Sequence, residues 1–442
     1  MRFFLALYIS KTVSKILRLV AKNRGTILPG KIALKIDPKF LSHIKGVNSE
    51  KVVFVTGTNG KSTTTNIINH ILTHSGLKVS SNLKGANMVT GVTTALLKDI
   101  SMRGRLKTDA IVMETDERYI HLIREQLPAK YICITNVQKD QAQRNGEPSY
   151  ILDKLKKAID TDVTLFVNKN EPNSYSLGSL AGRAISYGVA PNSQSYRKDD
   201  DFFSVSQPCP CCHNPLVFHS YNIENIGPFY CPVCGFGSGE NVNYYVSDVD
   251  YEGKVFTVNA RKYAFNFNTA YFLYCYVLAI GVAAELGVPG KRIAAALKDF
   301  KNIRGRLETK KIAGKTLNYI KMKQENSETT QSSLNLIARD DHKKIFMIGY
   351  DEYLDFFPPL VISFYPFDYD PRSVLRSGVD KWICMSKAMG RAVALRFLYD
   401  GFDEKDMIVL PDSKEETIEK TLSEIPGKDV VYLVEEIPYW KK

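Results

Sequence analysis

Short apolar runs, each followed by a segment with helical spacing, recur through the first part of the chain. The runs VVFV, AIVM, YICI and LFVN begin at residues 52, 110, 131 and 165. Continuous apolar runs of this length, bounded by turn residues, are typical of strands that are covered on both faces of a sheet. Because such strands alternate with helical segments here, the pattern predicts a doubly wound parallel sheet and an α/β fold class.

The pattern changes twice later in the chain. Residues 243–267 alternate between polar and apolar positions, as in β-hairpins, and the stretch NTAYFLYCYVLAIGVAAELG from residue 268 is a strongly apolar helix. Beyond residue 300, the strand-like segments KIFMIGY and KDVVYLVEE alternate with the helical segment AMGRAVALRFLYDG. This second alternation predicts a Rossmann-like C-terminal unit. A chain of 442 residues is long enough for two or three domains, each with its own core.

The N-terminal 25 residues predict an amphipathic basic helix. The uncharged run Phe3–Ser10 is too short to span a bilayer, and it lacks a clear cleavage site for a secretory signal. Lys11, Lys15 and Arg18 interleave with apolar residues. Such a helix either packs on its own domain or attaches weakly to a membrane surface, and the first alternative is favoured.

The run Val52–Val55 is followed by a loop and then by Gly-Lys-Ser at the start of a helical pattern. A strand, a glycine-containing loop and a helix N-terminus form an arrangement that binds phosphate through loop amides. Lys61 would then pair with the β- and γ-phosphates, and the Ser62 hydroxyl would bind Mg²⁺. Only two residues lie between Gly57 and Gly60, whereas the usual phosphate loop has four between its glycines.

Acidic residues end the next predicted strand, in AIVMETDE, where Glu114 is the first of them. Hard cations such as Mg²⁺ take oxygen ligands, and a carboxylate at a strand end beside a phosphate loop supplies one. The alternative is an ordinary solvated strand end.

Two cysteine pairs predict a metal site. Cys209 and Cys212 form one C-x-x-C knuckle, and Cys231 and Cys234 form a second one eighteen residues after the first. Two knuckles at this separation are typical of a zinc ribbon with four thiolate ligands, and such a closed site is structural. A redox motif is the alternative, and Cys211 falls outside the spacing.

Composition adds limits on the partners. Lys and Arg exceed Asp and Glu by 12, which suggests an acidic partner such as a phosphorylated lipid-linked substrate or an anionic membrane. A compact basic motif is absent from the sequence, so nucleic acid is not expected. The eight cysteines form no evident disulfide framework, and a phosphate loop implies cytosolic ATP, so we expect reduced thiols and a cytoplasmic protein.

The string TGTNGKST, from Thr56 to Thr63, resembles the ATP loop of the Mur ligases, the amide-bond-forming enzymes of peptidoglycan synthesis. Two flanking strings, LPGKIALKIDPKFL from Leu28 and SNLKGANMVTGVTTALL from Ser81, are similar to the MurT branch of that family. MurT-type subunits work with a glutamine amidotransferase of GatD type and amidate the glutamate of lipid II. The similarity is close over residues 28–150, fair to about residue 310, and weak beyond.

The resemblance implies a set of site residues. The loop residues that would hold ATP are Gly57, Thr58, Asn59, Gly60, Lys61, Ser62 and Thr63. Glu114 matches the carboxylate directed at Mg²⁺, and Asn136 belongs to a matching Thr-Asn stretch. Asn268 matches an Asn at the start of a helix that meets the adenine, where Tyr271 replaces a second Asn and either stacks on a purine or packs in the core.

Two further residues are implied in the C-terminal part. Arg306 lies in a segment that is similar to the hinge motif Gly-Arg-x-Glu, and it would reach the γ-phosphate when the domains close. Asp355 is the nearest acid to a family Asp that is proposed to assist glutamine hydrolysis in the partner, although a structural Asp is the favoured reading. Where MurT proteins have Lys-Asn-Pro, this chain has Glu325, Asn326 and Ser327.

The sequence therefore predicts three parts: an N-terminal segment over residues 1–45, a Mur-type ATPase domain over 46–300 with an inserted zinc ribbon at about 200–245, and a Rossmann-like domain over 301–442. The implied function is ATP-dependent amidation of the D-glutamate α-carboxylate of lipid II to D-isoglutamine, through an acyl phosphate. The implied cofactors are ATP, Mg²⁺ and Zn²⁺. A related ligase with another substrate, or a non-catalytic ATP-binding regulator or scaffold, are the alternatives.

Overall fold

The computed structural model describes residues 1–20, 27–83, 86–140, 146–197, 207–223, 225–239, 241–266, 270–301, 307–321, 326–340, 342–350, 365–375, 377–386, 389–427 and 430–435. Asn268, Arg306 and Asp355, which the sequence analysis assigns to the site, lie outside these residues. The chain divides into two compact units. The first comprises Met1–Gln138, Pro148–Arg197 and Ser206–Asn302, and the second is built mainly from Ile303–Lys442.

Helices and strands alternate along the first unit. Its helices are α1 (Arg2–Val20), α2 (Leu28–Ile36), α3 (Lys61–His74), α4 (Val89–Asp99), α5 (Ile120–Arg124), α6 (Pro148–Lys156), α7 (Pro172–Ser176), α8 (Ala270–Glu285) and α9 (Gly290–Asp299). Its strands are β1 (Val52–Thr56), β2 (Val79–Ser81), β3 (Ala110–Glu114), β4 (Tyr131–Ile134), β5 (Thr164–Asn168), β6 (Arg183–Val189), β7 (Val217–Phe218), β8 (Phe229–Tyr230), β9 (Tyr244–Asp250), β10 (Val255–Val258) and β11 (Arg261–Ala264).

Nine of these strands form one sheet in the order β11-β10-β9-β6-β5-β4-β1-β3-β2. The strands from β2 to β6 pair in parallel, and every residue of β1, β3, β4 and β5 is buried. The continuous apolar runs predicted this burial, because helices cover both faces of a parallel sheet. The hairpin prediction for residues 243–267 is confirmed as well, since β9, β10 and β11 pair antiparallel at one edge.

The strand order places β1 at a reversal point of the sheet. β1 lies between β3 on one side and β4 on the other, so that Val53 is paired with Val112 and with Tyr131. In open α/β sheets, ligands bind outside the carboxyl ends of the strands at such a point. The loop after β1 lies there.

The apolar helix predicted after residue 268 is α8, and it is buried over most of its length. A helix that is apolar on all sides belongs in a core and not on a surface. Gly281 lets α8 approach the sheet, because a Cβ atom there would lie 3.0 Å from the Tyr244 ring and 3.1 Å from the Phe166 ring. The helix also packs against α3, which fixes the helix that follows the phosphate loop.

Helix α1 packs one face on the first unit. Phe3, Ala6, Leu7 and Ser10 are buried, and the Phe3 ring lies 5.0 Å from the ring of Phe40. This confirms the favoured alternative for the N-terminal segment over its first half, while the opposite face remains exposed. Among the residues that the structure describes, none of the helices is both long enough and apolar enough to cross a membrane.

The second unit contains a six-stranded sheet in the order β12-β13-β17-β14-β15-β16. Its strands are β12 (Leu307–Ile312), β13 (Lys315–Lys321), β14 (Lys344–Gly349), β15 (Val379–Met385), β16 (Met407–Leu410) and β17 (Val430–Glu435), and its helices are α10 (Ser327–Ala338), α11 (Arg372–Leu375), α12 (Gly390–Tyr399) and α13 (Glu415–Glu424). Apart from the antiparallel β12–β13 pair, the strands pair in parallel. The predicted Rossmann-like unit is therefore confirmed.

Candidate nucleotide and metal sites

The loop between β1 and α3 turns so tightly that glycine is required at its first position. Gly57 has φ 119° and Gly60 has φ 87°, both in a region that side chains disfavour. A Cβ atom at Gly57 would lie 2.4 Å from Thr135 Oγ1 and 2.6 Å from the Asn136 carbonyl oxygen. The loop therefore lies directly against the residues that follow β4, and any larger residue at Gly57 would clash with them. We call this loop and its backbone amides the cradle.

Residues after β4 hold this loop in shape. The backbone N–H of Thr58 donates to the Asn136 carbonyl at 2.8 Å. The Asn136 side chain accepts from the Asn59 N–H at 3.0 Å and donates to the Asn59 carbonyl at 3.1 Å. Gln138 adds two contacts, because its N–H donates to Thr58 Oγ1 and its side chain accepts from Asn59. Asn136 thus contacts the loop backbone itself.

Lys61, the first residue of α3, forms a buried ion pair. Its Nζ lies 3.0 Å from Glu117 Oε2, and the two side chains are 9% and 7% exposed. The same Nζ donates to the carbonyls of Gly57 and Thr58. The cation is thus held at the loop by one carboxylate and two carbonyl oxygens, where it would face an anion bound in the cradle.

Ser62 and Glu114 meet next to this lysine. Ser62 Oγ donates to Glu114 Oε2 at 2.7 Å, and Asn87 Nδ2 donates to the other carboxylate oxygen at 3.1 Å. The Asn82 side chain fixes the backbone of Glu114 from both sides, with its amide on the carbonyl and its oxygen on the N–H, each at 2.8 Å. Adjacent ligands of octahedral Mg²⁺ lie roughly 3 Å apart, since Mg–O distances are about 2.1 Å. These two oxygens fit that spacing.

A second acid near the loop has a different role. Asp116 is bound by Arg118, whose Nε and Nη2 donate to the two carboxylate oxygens at 2.9 and 2.7 Å. Burial alone would raise the pKa of Asp116, but the hydrogen bonds and the charge of Arg118 outweigh it, and the pKa is lowered. This carboxylate is therefore held as an anion by its own arginine.

The first turn of α3 carries buried hydroxyls. Thr63 Oγ1 and Thr64 Oγ1 are fully shielded and have no hydrogen-bond partner among the described residues. Buried polar groups normally have one. Because they lie beside the cradle at a helix N-terminus, their open hydrogen-bonding capacity fits a site that takes a polar ligand.

A small cavity opens beside Gly60. Its lining comes from the loop, the ends of three strands, α8 and the segment between β7 and β8: Asn59, Gly60, Thr64, Thr135, Asn136, Asn168, Tyr187, Ile223, Ile226, Tyr271, Tyr274 and Cys275. The Tyr271 hydroxyl is within 3.3 Å of where a Gly60 Cβ would lie. Tyr271 is therefore at the cavity wall next to the phosphate loop, and it is only partly buried.

The four predicted cysteines come together. The sulfur atoms of Cys209, Cys212, Cys231 and Cys234 all lie within 4.8 Å of one another. Two of these separations are 3.6 Å, from Cys209 to Cys234, and 3.5 Å, from Cys212 to Cys231. A tetrahedral zinc site with Zn–S bonds of about 2.3 Å has sulfur separations of roughly 3.8 Å. Cys211 is exposed and does not belong to this cluster.

Local hydrogen bonds favour the thiolate at one of these residues. The backbone N–H of Asn214, followed by its side-chain amide, lowers the pKa of the Cys212 thiol to about 6. The thiolate is the form that binds metal. Burial raises the pKa of Cys209, so a cation would be needed to hold all four in the anionic form.

The segment that carries the cysteines also reaches the cavity. Ile223 and Ile226, from the turn between β7 and β8, are part of the cavity wall. Asn222 anchors that turn, because its side-chain amide donates to the Val189 carbonyl at 2.8 Å and to Tyr274 Oη at 2.9 Å. The cysteine cluster and one part of the cavity wall therefore belong to the same segment of the chain.

Residues 55–228 match the Mur ligase middle domain. The fold is similar to that of a pseudomurein peptide ligase type C from Methanothermus fervidus, with a TM-score of 0.65, 18% identity, and coverage of 94% of this chain and 83% of that one. With a phosphate loop at a strand reversal point of the sheet, these matches define the class: the chain contains a Mur ligase middle domain, within a fold shared with a peptide ligase of known structure.

Over more of its length, the chain is similar to subunit MurT of lipid II isoglutaminyl synthase (glutamine-hydrolyzing). It is 29% identical over 310 residues to the protein from Staphylococcus aureus, which covers 70% of this chain and 69% of that protein. It is 27% identical over 308 residues to the one from Streptococcus pneumoniae, covering 68% and 67%. The chain is therefore a ligase of the ATP-dependent, amide-forming class.

Sequence reasoning brought Lys61, Ser62 and Glu114 to one site, and the structure places them together. It missed Glu117, which is the partner of Lys61, and the loop contacts of Gln138. Glu117 was visible as the last acid of AIVMETDE, but nothing in its spacing distinguishes it from Asp116. Only the fold shows that one acid faces Lys61 and the other faces Arg118.

We expect the Lys61–Glu117 pair to be strongly coupled in the nucleotide-free protein. Glu117→Gln should lower the free energy of unfolding by about 3 kcal/mol, because it leaves a buried ammonium without its counter-charge. Adding Lys61→Met should recover part of that loss. Urea unfolding of the two single variants and the double variant measures the coupling.

The exposed pair Lys156–Asp153 supplies the control. Its side chains are 53% and 71% exposed, so Asp153→Asn should change the free energy of unfolding by less than about 0.5 kcal/mol. Additive effects of Lys61→Met and Glu117→Gln would contradict the ion pair.

Proposed function

We propose that this protein amidates the D-glutamate α-carboxylate of the lipid II stem peptide and converts it to D-isoglutamine at the expense of ATP. The observation that carries the proposal is that Lys61 pairs with Glu117 while its neighbour Ser62 pairs with Glu114 at the start of α3, in a chain that is similar to MurT subunits over about 70% of its length. A loop of this kind binds and polarises a nucleoside triphosphate.

The proposed chemistry has two steps. A carboxylate oxygen of the substrate attacks the γ-phosphorus of ATP, the bond to the β–γ bridging oxygen breaks, and ADP leaves. Ammonia then attacks the carbonyl carbon of the acyl phosphate, inorganic phosphate leaves, and the added nitrogen loses a proton. Amide formation by direct attack on a carboxylate is unfavourable, so the first step supplies a leaving group.

Lys61 would stabilise the negative charge of the β- and γ-phosphates. Its Nζ is buried beside the cradle, where an electrostatic interaction is stronger than in water. Glu117 holds this ammonium at the loop in the nucleotide-free protein. Gly57, Thr58, Asn59, Gly60 and Thr63 would surround the phosphates, with Asn136 holding the loop in the required shape.

Ser62 and Glu114 would bind Mg²⁺ through their adjacent oxygens. When bound, the ion neutralises charge that develops on the γ-phosphoryl group. Asn87 would keep the Glu114 carboxylate aimed at the ion, since its side-chain amide donates to one carboxylate oxygen, while Asn82 holds the Glu114 backbone in place. The assignments of Asn268 to the adenine, Arg306 to the γ-phosphate and Asp355 to the partner's glutamine hydrolysis are proposed from the family resemblance alone.

Ammonia would come from a GatD-like glutamine amidotransferase that pairs with this chain. The relatives from Staphylococcus aureus and Streptococcus pneumoniae are named as subunit MurT of a glutamine-hydrolyzing enzyme, and this supports a heterodimer. We place the reaction in the cytoplasm, where ATP is available, at the inner face of the membrane that carries the lipid-linked substrate.

We also propose that the four cysteines hold one structural Zn²⁺. Their separations fit a tetrahedral site, and four protein ligands leave no open position for catalysis. The ion would fix the segment that carries Ile223 and Ile226 to the cavity wall. Metal occupancy should therefore affect nucleotide affinity as well as stability.

Lys61→Ala tests the nucleotide site. Turnover should fall by at least two orders of magnitude, in line with the loss of a main electrostatic stabiliser worth roughly 3 kcal/mol. Glu114→Gln should instead raise the Mg²⁺ concentration needed for half-maximal rate, because one charged ligand is lost. Phosphate release measured across a Mg²⁺ titration separates the two effects, and full activity in Lys61→Ala would refute the assignment.

The amidation reaction is tested with lipid-linked muropeptide, ATP and ammonium. Free ammonia bypasses the partner, so this chain alone should release phosphate and lower the mass of the acceptor by about one dalton as carboxylate becomes amide. ATP cleavage should depend on the acceptor, because the attacking carboxylate must be positioned.

Assays with other acceptors distinguish the proposed reaction from the two alternatives, a ligase with another substrate and a non-catalytic ATP-binding protein. Muropeptides whose glutamate carboxylate is already amidated should give no product. Turnover with another acid but none with lipid II would identify a related ligase with a different substrate. ATP binding without any amide product at high ammonia would rule out the proposed reaction.

Metal analysis of protein purified without chelator tests the zinc site. We expect close to one equivalent of zinc, which Cys231→Ser should lose and Cys211→Ser should retain. Cys211 is the matched control because it is a neighbouring cysteine outside the cluster. Loss of zinc should lower the unfolding midpoint and weaken nucleotide binding, whereas four freely titratable thiols in the wild-type protein would exclude the site.

A further inference from the structure

The outer face of α1 carries an apolar stripe. While Phe3, Ala6 and Leu7 pack on the unit, the side chains opposite them are exposed. Their exposed fractions are Phe4 37%, Leu5 54%, Tyr8 44%, Ile9 39%, Ile16 52% and Leu19 79%. Positions three and four residues apart share one face of a helix, so these six residues, the α1 stripe, form a single surface.

This stripe is not an ordinary scatter of exposed apolar residues. Isolated surface apolar side chains are common, whereas a contiguous patch marks an interaction site. The stripe extends over a helix of 19 residues, which is about 28 Å long. Met102, itself 53% exposed, continues the patch, because its carbonyl accepts a hydrogen bond from the Tyr8 hydroxyl at 3.3 Å.

The charged residues of the N-terminal segment that contains the stripe have one sign. Residues 1–36 contain no Asp or Glu and have eight basic residues: Arg2, Lys11, Lys15, Arg18, Lys22, Arg24, Lys31 and Lys35. This segment therefore has a formal charge of +8, out of +12 for the whole chain. Arg2 and Lys15, both exposed, lie at the margins of the stripe.

We infer that the α1 stripe docks on an anionic phospholipid membrane, with the helix lying in the plane of the interface. An apolar stripe with a basic border is the arrangement that enters the boundary between headgroups and acyl chains. The basic side chains contact acidic headgroups, and the attraction grows with their number. The buried face of α1 stays on its own unit, so docking requires no unfolding.

Charge also favours an acidic membrane over a second copy of the chain as the partner of the α1 stripe. Another copy would present an equally basic helix, and two such faces would repel each other across a shared apolar contact. A membrane that contains acidic lipid offers both an apolar interior and a complementary charge. The proposal concerns binding alone and does not depend on the reaction proposed above.

Flotation of the full chain with vesicles tests the inference. Vesicles of phosphatidylcholine with about one third phosphatidylglycerol should bind the protein, and vesicles of phosphatidylcholine alone should bind it about tenfold more weakly. Added salt should reduce binding to the first kind, because it screens the basic border.

Two double variants separate the contributions. Leu5→Ser with Ile16→Ser removes apolar surface without a change in charge, and it should weaken vesicle binding about tenfold. Arg2→Gln with Lys15→Gln should weaken binding to acidic vesicles only. Leu395→Ser is the matched control, because Leu395 is 64% exposed on α12, and it should bind as the wild type does.

Thermal unfolding midpoints should be unchanged in all these variants, since each replaced side chain is exposed. Binding that is insensitive to Leu5→Ser with Ile16→Ser, or equal for neutral and acidic vesicles, would overturn the inference. It would also be overturned by a dimer in light scattering that the same variant converts to monomer, or by a monomer that binds neither kind of vesicle. The vesicles contain no peptidoglycan precursor, so failure here leaves the amidation assay unaffected.

Discussion

The close contact between the loop after β1 and the residues after β4 is the constraint on which the nucleotide site depends. A Cβ atom at Gly57 would lie 2.4 Å from Thr135, so the loop can take this position only with glycine there. Asn136 then reaches both the N–H and the carbonyl of Asn59. Since the parallel pairing of β1 and β4 sets this approach, the shape of the cradle follows from the register of the sheet.

Three acids that are close in sequence lie beside the same loop, and each is paired with a different residue. Glu114, Asp116 and Glu117 follow one another within four residues, yet each has a separate partner: Ser62, Arg118 and Lys61. Three carboxylates so close together would repel one another without such pairing. Because each carboxylate has its own donor or cation, Lys61 stays at the loop. Ser62 Oγ and the Glu114 carboxylate oxygen beside it keep a separation that fits a magnesium site.

The cysteine cluster and one part of the cavity wall are carried by the same segment of the chain. The cysteines form a small core with Leu216 and Phe229, and the turn between β7 and β8 places Ile223 and Ile226 in the cavity wall. A small segment of this kind has little apolar surface of its own, so a bound ion would supply stability that packing cannot. Helix α1 shows a related division, with one face in the core and the other facing outward.

The sequence by itself determined the features that depend on neighbours along the chain. The apolar runs specified the buried strands of the first sheet, Gly-Lys-Ser marked the start of α3, and the two C-x-x-C knuckles identified the four clustered cysteines, because each of these patterns is local. Only the tertiary structure decided which distant groups meet. Glu117 reaches Lys61 across 56 residues and Gln138 reaches Asn59 across 79, since strand order and register, which no local spacing encodes, bring the ends of β1, β3 and β4 together.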